Sequence, residues 1–156
     1  MPVAVEPSRG HFLDCAPRST ETAQAMTSHV EPMRVQWVDT DASGLIHYTA
    51  ALRYFEVAEH ALLRRLFAAR PLERTFGLPR VHVEADYRAP LHYPDEFDCA
   101  VRVATVGRSS VTFVYEIRRR DGVVCIVGKI VGAAVDAGGR SIPLPDDFRA
   151  ALAGAV

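Results

Sequence analysis

The sequence predicts an α+β domain in which one antiparallel sheet wraps a single long helix. Three observations carry that expectation. A helical period runs from about Thr49 to Phe67, and alternating strands fill most of the chain from Val81 to Val135. Tight-turn pairs at Gly107-Arg108 and Asp121-Gly122 then join the last three strands into a meander. At 156 residues the chain suits one domain with a substantial core.

Taken in order, residues Met1 to about Glu31 show no sustained period and contain Pro2, Pro7, Pro17 and the polar stretch Ser19 to Thr22. They are expected to form a loosely ordered extension over 1–31, ahead of a folded domain over 32–156, with Met26 as an alternative start. Met33, Val35 and Trp37 alternate with Arg34 and Gln36, which predicts a half-buried strand over 33–38. A turn over Asp39 to Gly44 follows. In the helix, Leu52, Phe55, Leu62, Leu63 and Leu66 recur at three- and four-residue spacing, while Arg53, Glu56, Arg64 and Arg65 take other faces. Thr49 is a candidate N-cap. Such a helix is ~28 Å long at 1.5 Å per residue and needs a large surface to cover it.

The remaining segments alternate as half-buried strands do. Val81, Val83, Ala85 and Tyr87 interleave with His82, Glu84, Asp86 and Arg88; Phe97, Cys99, Val101 and Val103 begin the next set. Val111, Phe113, Tyr115 and Ile117 form a third, and 123–135 is apolar on both faces, as in a central or covered strand. Gly138-Gly139 ends it, and Pro145-Asp-Asp-Phe-Arg opens a short terminal helix. One sheet around one helix is the economical arrangement of these elements.

Composition narrows the function. A net charge of −1 gives no footprint for a nucleic-acid partner. No apolar run reaches the ~18 residues that cross a bilayer, and no basic-then-apolar leader marks secretion. Cys15, Cys99 and Cys125 form no C-x-x-C pair. Together these predict a reduced, cytoplasmic protein.

The chemistry-bearing stretch is Trp37 to Tyr48, where an apolar strand runs into two acids one residue apart and then into a helix start. A carboxylate at a helix N-terminus sits where backbone N–H groups and the dipole favour negative charge. Asp39-x-Asp41-x-Ser43-Gly44 imitates the start of a calcium loop, but the twelfth position is Ala50 and a strand precedes it. His82, Glu84 and Asp86 share a strand face, as half-buried strands show in any case, and no second ligand cluster supports a metal. No metal and no cofactor are expected. There is no G-x-S-x-G elbow, P-loop or G-x-G-x-x-G. Asp41 is also a residue type that turns favour for side-chain-to-backbone bonding.

Val38-Asp-Thr-Asp-Ala-Ser-Gly-Leu-Ile-His-Tyr48, followed by Leu52-Arg-Tyr-Phe-Glu56, closely resembles the signature of hot-dog-fold acyl-CoA thioesterases. The match is to the 4-hydroxybenzoyl-CoA thioesterase type and its YbgC-like relatives. The likeness spans about 33–149, since Val83 to Pro90, Val106 to Ser110 and the last apolar strand also fit. The resemblance implies a hot-dog fold and thioester hydrolysis, with Asp41 as the catalytic carboxylate, either nucleophile or general base. It implies that the Tyr48 backbone N–H polarises the thioester oxygen and that Gly44 lets the chain approach the acyl group. It places Arg108, Ser109 and Ser110 on the nucleotide end of coenzyme A, with Arg108 the phosphate partner. His47-Tyr48 departs from the Tyr-His of many YbgC-like members, so His47 is a candidate acid–base helper or a structural residue. Asp39 is expected to be structural; Glu56 is a further candidate by the resemblance, since some hot-dog thioesterases use a helix carboxylate, but its place within Tyr-Phe-Glu favours a structural role.

The expected partners are therefore an acyl-CoA substrate and further copies of the chain, as a homodimer or homotetramer. An acyl carrier protein substrate and a non-catalytic acyl-thioester binder are the alternatives.

Overall fold

The computed structural model describes residues 27–68 and 76–154. The expected extension falls outside them as far as residue 26, as does Cys15. Five strands form one antiparallel sheet: β1 (Ser28–Arg34), β2 (Arg80–Tyr87), β3 (Glu96–Val106), β4 (Ser110–Arg119) and β5 (Val124–Ala133). Their order across the sheet is β1-β3-β4-β5-β2, so β1 and β2 are the edges. The meander β3-β4-β5 is the one expected from its two tight turns, with Gly122 at φ 89° in the second.

The long helix α1 (Ala50–Phe67) lies against the inner face, and a short helix α2 (Asp146–Leu152) packs at its far end through Phe148, which stacks on Phe67 at 5.5 Å. Inward residues of β3 and β4 alternate as expected: Phe97, Cys99, Val101 and Val103 face α1 with Val111, Phe113, Tyr115 and Ile117. The helix stripe is rotated from the leucine spacing. Its buried centre is Ala51, Tyr54, Phe55, Ala58, Glu59 and Leu62, while Leu52 and Leu66 are only partly buried. Alanines let the helix axis approach the sheet, and the leucines then close the sides.

That close approach is visible at Gly128 of β5. A methyl group there would collide with the Phe55 ring and lie 3.0 Å from the Glu84 carbonyl. Gly128→Ala is expected to destabilise the fold by about 1–3 kcal/mol in denaturant melts, through overpacking.

Two boundaries differ from the sequence expectation. The first strand begins at Ser28, not Met33, because 28–34 pair with 96–102 of β3. The chain then leaves the sheet at Val35 and closes a 3₁₀ turn over Trp37–Asp39. Trp37, expected inward, is 75% exposed. The cause is local: the Gln36 N–H donates to Asp39 Oδ2 at 3.2 Å and the Thr40 hydroxyl to the Trp37 carbonyl at 2.8 Å. These side-chain bonds outcompete continuation of the ladder.

Candidate active site

Asp41 opens a turn that is bonded to itself and to the body of the domain. The Asp41 N–H donates to the Leu45 carbonyl at 2.9 Å and the Gly44 N–H to the Asp41 carbonyl at 3.0 Å. Gly44 has φ 78°, a conformation that a side chain would strain. The return limb is anchored by the Ile46 N–H on the Leu91 carbonyl at 3.0 Å and the His47 N–H on the Asp39 carbonyl at 2.7 Å.

The Asp41 carboxylate is exposed. Its Oδ1 accepts the Ser43 N–H at 2.8 Å and the Ser43 hydroxyl. The Leu45 N–H adds a weaker bond to the same carboxylate. Those Ser43 bonds hold the carboxyl below the usual range, with His47 adding to them against slight desolvation. The group is ionised at neutral pH and open to solvent, as either a base or a nucleophile requires.

Tyr48 follows at the helix start. Its N–H meets no acceptor among the described residues, so it is an open donor beside the turn. The Tyr87 hydroxyl, from the end of β2, donates to the Tyr48 carbonyl and ties this residue to the sheet. Thr49 occupies the N-cap position without capping the helix. Its hydroxyl instead bonds His47 Nδ1 at 2.7 Å, and its N–H reaches the same nitrogen at 3.4 Å. Because Nδ1 accepts, the neutral ring carries its proton on Nε2. The His47 ring lies on Tyr48 at 4.4 Å and makes no hydrogen bond to Asp41.

Asp39 is buried, in contrast to Asp41. Besides Gln36, it accepts the Tyr54 hydroxyl at 2.7 Å and pairs with the Arg53 guanidinium. Burial pushes its carboxyl up, but the Tyr54, Arg53 and Gln36 hydrogen bonds together prevail and leave it below the usual range. Glu56, the other carboxylate considered, is exposed on α1.

A cavity of about 280 Å³ adjoins the turn. Leu45 and Ile46 of the return limb form one wall, and residues 87–91, Arg88 among them, complete it with Ile126. It is largely apolar and open to solvent, and Tyr87 links it directly to the Tyr48 backbone.

Arg108, Ser109 and Ser110 are not brought to this place. They form the β3–β4 turn, where the Leu144 N–H and Arg149 Nη2 hold the Arg108 carbonyl at 2.8 and 2.9 Å. Asp41 lies beside the residues that precede β3, since Leu45 bridges His92. The two groups therefore stand at opposite ends of an 11-residue strand, ~33 Å apart at ~3.3 Å per residue.

Among the described residues no three His, Cys, Asp or Glu side chains are grouped to hold a metal ion. Glu84 of the His82-Glu84-Asp86 face is instead paired with Lys129 at 2.8 Å. Sequence reading missed Glu59, fully buried between the Tyr115 hydroxyl at 2.7 Å and the Arg80 guanidinium. The signal was present: an acid four residues after Phe55 and three before Leu62 lies on the apolar stripe.

Comparison with known proteins bears on this site. A family model described as the thioesterase-like superfamily matches residues 35–152. A protein of Aquifex aeolicus (strain VF5) named "Putative esterase" is 35% identical over 109 residues, spanning 63% of this chain and 85% of its own. A crystal structure from Pseudomonas aeruginosa PAO1 aligns with a TM-score of 0.71 at 25% identity, over 80% of this chain and 89% of that one. A 1,4-dihydroxy-2-naphthoyl-CoA thioesterase from Synechocystis has the same fold, with a TM-score of 0.71 at 19% identity over 80% and 95% of the two chains. With the matched region running from Val35 through the Asp41 turn, α1 and strands β2 to β5 to Leu152, the chain belongs to the thioesterase-like superfamily.

Proposed function

We propose that the protein hydrolyses an acyl-CoA thioester, with Asp41 as the carboxylate that attacks the carbonyl or activates water. The observation that carries this reading is the pairing of an ionised, exposed carboxylate with an unoccupied backbone donor at Tyr48 on the same short segment. The carboxylate supplies the nucleophile or base, and the N–H stabilises the oxyanion that develops as the carbonyl is attacked. The apolar cavity beside Leu45 and Ile46 seats the acyl group. Membership of the thioesterase-like superfamily supports thioester chemistry, and the CoA ester named for the Synechocystis relative supports coenzyme A as the thiol.

The working unit in this reading is at least a homodimer. Edge strand β2 leaves Val81 62% and Val83 45% exposed, with its backbone edge unpaired by any described strand. Two-fold antiparallel pairing of β2 with its copy sets the partner's Arg80 end beside the Tyr87 end of the first chain. Arg80 pairs with Gly132 and Ser110 with Ala133, so the β3–β4 turn lies at that Arg80 end. Pairing thus moves the partner's copy of the Arg108–Ser110 turn toward Asp41, which reconciles the expected phosphate contacts with their ~33 Å separation within one chain. Light scattering should give at least twice the chain mass, and Val83→Asp should lower it. A monomer with full activity would exclude this arrangement.

Thiol release from a panel of aromatic and aliphatic acyl-CoAs tests the reaction itself, with wild type beside Asp41→Asn. Hydrolysis by the first and not the second is the expected result. Tight acyl-CoA binding by both with no turnover would instead favour a carrier-protein thioester or a non-catalytic binder.

A further inference from the structure

We propose that Asp39, Tyr54 and Arg53 form a positioning clamp that sets the Asp41 turn against the start of α1. This rests on the reading of Asp41 as catalytic and adds to it the device that holds Asp41 and the Tyr48 N–H in one geometry. Asp39 is where three segments meet. Its carboxylate takes the Gln36 N–H from the preceding 3₁₀ turn and the Tyr54 hydroxyl and Arg53 guanidinium from α1, while its carbonyl takes the His47 N–H from the return limb.

Asp41 follows Asp39 by two residues and Tyr48 follows His47 by one, so both proposed groups depend on that junction. The turn between them is internally bonded and can shift as a unit. Ile46 on Leu91, the Leu45–His92 bridge and the Tyr87 hydroxyl on the Tyr48 carbonyl tie the segment to the sheet side. The clamp is its side-chain link to the helix, beside the backbone bond from the Ala50 N–H to the His47 carbonyl at 2.8 Å. Because reaction rates fall steeply when reacting groups are displaced by about 1 Å, loosening this link should lower turnover without removing any group that touches substrate.

Tyr54→Phe is the sharpest test, since it deletes one hydroxyl and keeps the ring that packs on Phe97 at 4.8 Å. Asp39→Asn is the companion from the other side of the bond. Each is expected to lower kcat by about tenfold to a hundredfold with KM changed less than threefold. The double variant should lose no more than the worse single one, because both break the same link. In Asp41→Asn, adding Tyr54→Phe should have no further effect on residual turnover. Amide hydrogen exchange supplies a readout independent of activity: His47 and Gly44 should exchange faster in both variants, with Phe113 and Ile117 unchanged.

Unchanged kcat in Tyr54→Phe alongside collapse in Asp41→Asn would overturn the clamp and leave the catalytic reading intact. Losses that follow a general fall in melting temperature, with exchange raised equally in the core, would also overturn it. Full activity in Asp41→Asn would instead overturn the catalytic reading, and the exchange pattern would still decide whether the clamp holds the turn.

Discussion

Replacing Asp41 with asparagine is expected to lower kcat by about 10²–10⁴-fold, the range that a positioned base or nucleophile contributes. The side chain is exposed and bonded only within its own turn, to Ser43 and more weakly to the Leu45 N–H, so the melting temperature should stay close to wild type. Asparagine can keep the Ser43 bonds through its carbonyl oxygen but cannot accept a proton or attack. The pH dependence carries a sign. Ser43 holds the Asp41 carboxyl below the ordinary value of about 4, so the group stays ionised on acidification for longer than a free aspartate. Activity should therefore be present above that range, and kcat/KM should fall on an acid limb centred below it. Removing the hydroxyl in Ser43→Ala should move that limb upward toward the ordinary value. An unshifted limb in Ser43→Ala would show that the limb belongs to another group.

The second large effect is on stability. Arg80→Ala is expected to destabilise the protein by about 3–5 kcal/mol, because it leaves the Glu59 carboxylate buried and uncompensated. Glu59 is completely enclosed and has two described partners, Arg80 and the Tyr115 hydroxyl, with Tyr115 itself stacked on Phe55 at 4.5 Å. Burial first and then the neighbouring Glu59 raise the Tyr115 hydroxyl well above its ordinary range, so it remains a proton donor at any physiological pH. Thermal melts at fixed protein concentration should show a fall of about 10 °C for Arg80→Ala. Replacing the whole group, as Glu59→Leu with Arg80→Met and Tyr115→Phe, should cost much less than the single change, since no buried polar group is then left alone. A single change as mild as the triple one would mean that water reaches Glu59.

Period and punctuation made most of the fold legible. The strands β3 and β4 alternate cleanly because each has one face on the helix, and a glycine with a neighbouring polar residue marks each of their turns. The α1 span was legible within a residue at its start, because apolar recurrence at three and four reports burial on one side. Where that reading slipped, local polar bonds or small residues were responsible. Trp37 turns outward because Asp39 closes a 3₁₀ turn on Gln36, and no apolar pattern records that competition. The helix stripe is centred on alanines, which carry little hydrophobic signal and matter for how near the helix lies.

The candidate site divides the same way. The sequence by itself determined the Asp41 turn, Gly44 and the helix start, because they are contiguous and their bonds run between near neighbours. Tertiary structure decided everything that depends on distant segments meeting. It buried Asp39 under Tyr54 and Arg53, brought Tyr87 from β2 onto the Tyr48 carbonyl, and enclosed Glu59 between Arg80 and Tyr115. It also put Arg108, Ser109 and Ser110 at the far end of β3, a separation that a chain of residue types cannot express. Local spacing encodes which groups a turn can present; which partners they face is settled when the sheet closes on the helix and residues far apart in sequence share one environment.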